Sequence, residues 1–208
     1  MFFLILLIFL VSIGANAKTM DTAKSSIVMD IDSGRILYKN NIHDKRLIAS
    51  ITKIMTATVA IENAKLNDKY EAGEEILELY GTCIYLGYKE KMSLKNLLYG
   101  LMLRSGNDAA VVIANNVSKN EADFVKLMNK KAKEIGMRDT TFSNSHGLDE
   151  KTKNYSSAYD MALLSSYAYK NYPIYRKITK TKKYETNTKN KSYLWYNRNK
   201  LLGDYEYC

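Results

Sequence analysis

Ser50 and Lys53 stand three residues apart in Ser50-Ile51-Thr52-Lys53, and a second polar triplet, Ser105-Gly106-Asn107, follows further along the chain. A serine hydroxyl is a poor nucleophile until a neighbouring base takes its proton. Residues three apart on a helix share a face, so Lys53 can reach Ser50 from the next turn. A lysine with its ordinary pKa of about 10.4 is neutral only about once in 2,500 at pH 7. Burial and nearby positive charge lower that pKa and make the amine a usable base. Lys53 interrupts an otherwise apolar run from Ile51 to Ala60, where an unpaired charge is costly. The chemistry these residues could do is acyl transfer through Ser50, with Lys53 as general base. Ser105 could then pass a proton towards a leaving amine, and Asn107 could bind a substrate amide and orient Lys53. The competing reading makes Ser50 a simple helix cap and leaves Lys53 in solvent. Ser-x-Asn recurs at Ser118-Lys119-Asn120, where it reads as the end of a helix.

Several elements must hold these groups. Ser26–Ile31 and Arg35–Lys39 read as two strands joined at Asp32-Ser33-Gly34, with glycine where a positive φ is expected. Ile51, Ile54, Met55, Thr58 and Ile61 recur at helical spacing, so a buried helix is expected from Ser50. Residues 71–90 read as short strands and loops, including a strand at Ile84-Tyr85-Leu86. Ser93 is placed to cap a helix ending near Arg104, which leaves Ser105-Gly106-Asn107 as a turn. Asp108 opens an apolar helix to Val117. Residues 121–135 form an amphipathic helix stopped by Gly136. Asn144-Ser145-His146-Gly147 reads as a loop, and residues 159–170 as a helix ended by Pro173. Residues 182–186 and 192–195 alternate like strands. Strands first, helices in the middle and strands last predict an α/β (α+β) sheet with a helical subdomain.

Composition sets the class. With 208 residues, 46% of them apolar, and one proline, the chain can bury an ordinary core. Of the net charge of +9, residues 18–150 contribute an excess of +1 and residues 151–208 an excess of +8. The latter stretch also holds most of the tyrosines. No nucleic-acid motif accompanies it, so nucleic acid is not expected as a partner; a solvated basic face or attraction to an anionic wall or membrane surface fits better. Phe2–Ile13 is almost wholly apolar and Ala15-Asn16-Ala17 is a small-x-small cleavage site, so residues 1–17 read as an export signal. That stretch is shorter than the roughly 20 residues a membrane-spanning helix needs. Cys83 and Cys208 are far apart and flanked by no metal-ligand spacing, so Cys83 is expected free and no metal or cofactor is expected. His146 reads as a loop hydrogen-bonding residue, not as a base.

Longer blocks narrow the reading. Ile48-Ala49-Ser50-Ile51-Thr52-Lys53-Ile54-Met55-Thr56-Ala57 resembles the active-site serine segment of exported D-alanyl-D-alanine carboxypeptidases, the low-molecular-weight penicillin-binding proteins. Leu97 to Ala110, which includes Leu103-Arg104-Ser105-Gly106-Asn107-Asp108, resembles the second motif of that family. The turn at Asp32-Ser33-Gly34 and the block Phe142-Ser143-Asn144-Ser145-His146-Gly147-Leu148-Asp149 match too. The likeness runs from about Ser25 to Leu202. It implies a β-lactamase/transpeptidase-like fold, with a mainly antiparallel sheet flanked by helices and its C-terminal strands incomplete. It implies Ser50 as nucleophile, Lys53 as base, Ser105 in proton transfer and Asn107 in orienting substrate and lysine. The substrate implied is a peptidoglycan stem peptide ending in D-Ala-D-Ala, and the inhibitors are β-lactams. The family's Lys-Thr-Gly strand, which recognises the substrate carboxylate and helps form the oxyanion hole, is absent from the 208 residues. By this resemblance it would follow Cys208, as would a β-rich domain and an amphipathic membrane anchor. Residues 18–208 are thus expected to be a C-terminally truncated catalytic domain.

Two alternatives stand beside this one. A class A β-lactamase shares the serine and lysine, but usually carries Asp where this chain has Gly106. A non-catalytic wall-binding remnant would use the basic tail.

Overall fold

In the computed structural model, which describes residues 22–204, the chain opens with an antiparallel hairpin. Strand β1 (Ser26–Met29) pairs with β2 (Ile36–Asn40), with Ser26 opposite Asn40. Gly34 turns the chain at φ +71°, as its place in the turn requires, while the Asp30 carboxylate accepts from the Ser33 amide at 2.8 Å. Strand β3 (Arg46–Leu47) then leads into a short 3-10 turn, Ala49–Thr52, and helix α1 (Lys53–Asn63). The expected helix from Ser50 is therefore a 3-10 turn that becomes α-helical at Lys53. Because side chains three apart eclipse in 3-10 geometry, this brings Ser50 and Lys53 into register.

Strand β4 (Lys69–Glu71) pairs antiparallel with β5 (Lys91–Ser93). Between them lies mostly loop, without a strand at Ile84-Tyr85-Leu86. Tyr85 has φ +62°, and the Ile84 and Leu86 amides that a neighbouring strand would have taken go instead to the Asp108 carboxylate. The helices α2 (Leu94–Arg104), α3 (Asn107–Val117) and α4 (Glu121–Glu134) follow. Ser93 caps α2 by accepting from the Asn96 amide, and Asn120 caps α4 by accepting from Asp123. Gly136, at φ +85°, ends the α4 segment as its position suggested.

Strand β6 (Tyr155–Ser156) pairs with β3, so residues beyond the fourth helix return beside the Ser50 turn. Helix α5 (Ala158–Asn171) stops before Pro173, but that proline also starts a further helix, α6 (Pro173–Thr179). Its fixed φ and missing N–H suit the first helical position, which reading it only as a stop overlooked. Strands β7 (Lys183–Asn187) and β8 (Ser192–Tyr196) form the last hairpin, followed by the short α7 (Leu201–Asp204). Every pairing is antiparallel, but the strands form four separate pairs among the described residues rather than one sheet.

The core lies among α1, α2, α3 and α4. Met55, Val59 and Ala60 meet Leu94, Leu97, Leu98 and Leu101, with Ala109, Ala110, Ile113 and Ala114 of α3 in the middle and Phe124 and Met128 closing one side. The first eight residues of α3, Asn107–Ala114, are buried without a break. A helix apolar on all sides belongs in an interior, and its alanines let neighbouring backbones approach. The threonines of α1 in this interior are satisfied: Thr58 bonds the Ile54 carbonyl and Thr56 the Ser145 carbonyl. This framework fixes α3, and therefore Asn107 at its first turn, against α1. The expected export signal at residues 1–17, and Cys208, lie outside the described residues.

Candidate active site

Three elements distant in sequence meet at Lys53. Its ammonium nitrogen lies 3.2 Å from Ser50 Oγ and 2.8 Å from Asn107 Oδ1, and it also donates to the main-chain carbonyl of His146. Ser50 is exposed while Lys53 is only 2% exposed. A reachable hydroxyl thus stands over a buried amine. The alternative of a solvent-facing Lys53 is excluded by this burial.

Burial pushes the Lys53 pKa down to about 8, against an opposing pull from Cys83 and the Asp108 carboxylate. At that value roughly one lysine in ten is neutral at pH 7, against about one in 2,500 without the shift. Desolvation supplies this effect; the nearby-cation contribution anticipated from sequence is not its leading cause. The three partners also settle how the neutral amine points. It keeps two N–H groups, which the Asn107 oxygen and the His146 carbonyl can take, so its lone pair is left facing Ser50 Oγ.

Asn107 is held from both sides. Its Nδ2 donates to the Tyr80 carbonyl at 2.9 Å, and its main-chain amide to the Thr82 carbonyl at 2.8 Å. Beside it, Asp108 accepts from the amides of Ile84, Leu86 and Ala109 within 3.0 Å. The first turn of α3 is thereby stitched to the 80–86 loop. Ser105 occupies the turn between α2 and α3 in the left-handed conformation, φ +61°, uncommon for a residue with a side chain. Its hydroxyl makes no hydrogen bond among the described residues. The other Ser-x-Asn, Ser118-Lys119-Asn120, falls elsewhere, with Ser118 at the far end of α3 and Asn120 capping α4.

The turn carrying Ser50 is itself constrained. Ala49 has φ +42°, and Gly147, at φ +86°, packs against its carbonyl so closely that a Cβ there would lie 2.0 Å from the oxygen. The His146 ring does not face Ser50. Its Nδ1 accepts from the Leu148 amide at 3.0 Å and its Nε2 lies 3.8 Å from Glu121 Oε1. Burial lowers its pKa, with the Glu121 charge acting the other way. His146 contributes a carbonyl, and a carbonyl has no residue-type signature in a sequence; only the block Phe142–Asp149 pointed there. A cavity of about 370 Å³, lined in part by Tyr80, Glu121, His146 and Leu148, adjoins this cluster without including Ser50 or Lys53. Cys83 is half-buried with a free thiol. Among the described residues, no group of three or more His, Cys, Asp or Glu is arranged to hold a metal ion.

The model of one protein family, described as D-alanyl-D-alanine carboxypeptidase, matches residues 13–208. The chain belongs to that family. As a member of the D-alanyl-D-alanine carboxypeptidases it is 40% identical over 193 residues to the carboxypeptidase DacF of Bacillus subtilis, covering 88% of this chain and 48% of that protein. It is 31% identical over 213 residues to the D-alanyl-D-alanine carboxypeptidase of Streptomyces sp. strain K15, covering 92% of this chain and 72% of that one. The crystal structure of the D-alanyl-D-alanine carboxypeptidase of Mycobacterium tuberculosis superposes with a TM-score of 0.84 at 29% identity, covering 88% of this chain and 69% of that one. The chain spans about half the length of several curated relatives it matches, 48% for DacF and 47% for DacA of Haemophilus influenzae. Antiparallel strands flanked by helices make this the β-lactamase/transpeptidase-like fold of the penicillin-binding proteins.

Proposed function

We propose that this protein acts as a serine-type D-Ala-D-Ala carboxypeptidase on peptidoglycan stem peptides. The observation that carries the proposal is Lys53, buried between the exposed Ser50 hydroxyl, Asn107 Oδ1 and the His146 carbonyl. Ser50 Oγ attacks the carbonyl of the penultimate D-alanine as neutral Lys53 takes its proton. The tetrahedral oxyanion collapses, the C–N bond breaks, and terminal D-alanine leaves with a proton delivered through Ser105. Water then attacks the ester, its proton goes to the lysine, and Ser50 is regenerated. Asn107 holds Lys53 through Oδ1, and the Nδ2 hydrogen that the Tyr80 carbonyl does not take is left to orient the substrate amide. No described residue is assigned to the substrate carboxylate. Residues 18–208 are proposed as part of the penicillin-binding catalytic domain, with residues 1–17 as the export signal that delivers it outside the cytoplasm. Among the described residues no helix is long and apolar enough to cross a membrane.

β-Lactams mimic the scissile peptide, so a fluorescent penicillin tests the reaction directly. Wild-type protein is expected to carry covalent label on a denaturing gel and Ser50→Ala none. Folded wild-type protein without label would overturn the proposal.

One observation favours a second reading, attachment to an anionic wall polymer. Lys189 in the β7–β8 turn meets Lys69, Lys89 and Lys91 around an open groove of about 720 Å³. This reading predicts sedimentation with purified peptidoglycan that weakens with salt and survives Ser50→Ala.

A further inference from the structure

The loop supplying the His146 carbonyl has no regular structure of its own, yet that carbonyl must sit within hydrogen-bond reach of Lys53. One side chain ties it down. Asn154, 0% exposed, precedes β6. Its Oδ1 accepts from the main-chain amides of Ser143 at 2.6 Å and Asn144 at 3.1 Å. Its Nδ2 donates to Thr52 Oγ1 at 2.9 Å and to the Asn144 carbonyl at 3.0 Å. Its own carbonyl accepts from the Ile48 amide at 3.2 Å. Asn154 therefore grips the chain on both sides of Ser50, at Ile48 and Thr52, and holds the 143–144 segment in the same grasp. Asn144 passes the constraint on, because its Oδ1 accepts from the amides of His146 at 3.3 Å and Gly147 at 2.6 Å.

We propose that Asn154 is a positioning residue for the reaction, fixing the His146 carbonyl and the Ser50–Lys53 turn relative to each other so that the lysine lone pair faces Ser50. This inference rests on the acyl-transfer function proposed above. A residue that only stabilised the fold could bond any part of the loop. Asn154 instead joins the two segments whose separation sets the geometry at the Lys53 nitrogen. The charged or titratable groups facing that nitrogen are Asp108 from α3, Cys83 from the loop between β4 and β5, and His146 from its own loop. Asn154 adds no charge to them, so any change in Lys53 titration on its replacement reports position and hydration.

Two variants test this, Asn154→Ala and the near-isosteric Thr52→Val, which cuts only the side-chain link to the Ser50 turn. Lys53 is followed by its carbon-13 ε resonance, assigned against Lys53→Met, in parallel with melting temperature and the pH profile of fluorescent-penicillin acylation. In Asn154→Ala the loop loosens, water reaches the amine, and the titration midpoint moves from about 8 towards 10.5. Each unit of that movement lowers acylation at pH 7 about tenfold and carries the acid limb of the profile with it. Thr52→Val moves the midpoint the same way by a smaller amount, and decides the matter if Asn154→Ala does not fold. A melting temperature that falls while the Lys53 midpoint stays in place, in whichever variant folds, overturns the inference. If wild-type protein takes no penicillin, the proposed reaction fails, while the lysine titration still tests the positioning.

Discussion

Gly147 offers a test in which the structure supplies its own control. Gly147→Ala would place a Cβ 2.0 Å from the Ala49 oxygen, 2.4 Å from its carbonyl carbon and 3.0 Å from the Ser50 nitrogen. These are backbone atoms and cannot swing aside, so either the 144–148 loop or the Ser50 turn must move. Gly136 has almost the same φ, +85° against +86°, and a Cβ added there would meet nothing within 4 Å. Gly136→Ala therefore carries the left-handed backbone cost of about 1–2 kcal/mol, and Gly147→Ala carries that cost together with the collision. Overpacking of this kind costs about 1–3 kcal/mol, and the contact here belongs at the upper end. A difference of about 3 kcal/mol corresponds to a gap of about 6–12 °C in melting temperature for a chain of this size. The same shift moves Ser50 relative to Lys53, and about 1 Å of misplacement costs about a hundredfold in rate. Differential scanning calorimetry of both variants reads the first effect and penicillin labelling the second. Equal melting temperatures, or Gly147→Ala labelling at the wild-type rate, would refute the packing argument.

Other perturbations separate the remaining parts of the site. Asn107→Asp sets a carboxylate beside the Lys53 ammonium and raises its pKa, so acylation at pH 7 should fall at least about tenfold, with the profile displaced to higher pH. In the wild type, acylation should rise with pH through about 8 and then level, because the proposed base is the neutral amine. Lys53 has a folded pKa below its unfolded 10.5, so between about 8 and 10.5 the unfolded chain binds the extra proton. Its contribution to stability therefore increases with pH across that window, a slope that Lys53→Met should remove from pH-dependent melts. Asp108→Ala strands the Ile84 and Leu86 amides at a cost of about 2–4 kcal/mol. Hydrogen exchange in residues 82–88 should then accelerate about a hundredfold, with β7 and β8 unchanged.

The parts of the site that rest on side-chain type were legible in the sequence. Ser50, Lys53 and Asn107 carry their chemistry in their identities, and the apolar run around Lys53 foretold its burial. Most of what escaped was carried by the backbone. The His146 carbonyl and the Ala49 conformation have no residue-type signal, and Asn154 belongs to no short motif. Ile84-Tyr85-Leu86 looks like a strand because its residues favour one, until a buried aspartate 22 and 24 residues away takes its amides. Pro173 marked a boundary correctly but hid the helix it begins. Strand type was readable along the chain, whereas the grouping of strands into four pairs depends on tertiary contacts that alternation does not encode.

The hydrogen bonds that define the site also set when it can exist. Lys53 meets Asn107 across 54 residues and His146 across 93, and Thr52 meets Asn154 across 102. Closing such long loops carries an entropic cost that local helix formation does not, and it slows the steps that depend on it. Helix α1 can form early, but Ser50 and Lys53 gain their alignment only after residue 154 has returned beside β3. Emerging from its amino end, the chain presents its proposed nucleophile and base first and the groups that align them last. The reactive pair is thus assembled late, and a partly folded chain carries the right residues without the means to use them.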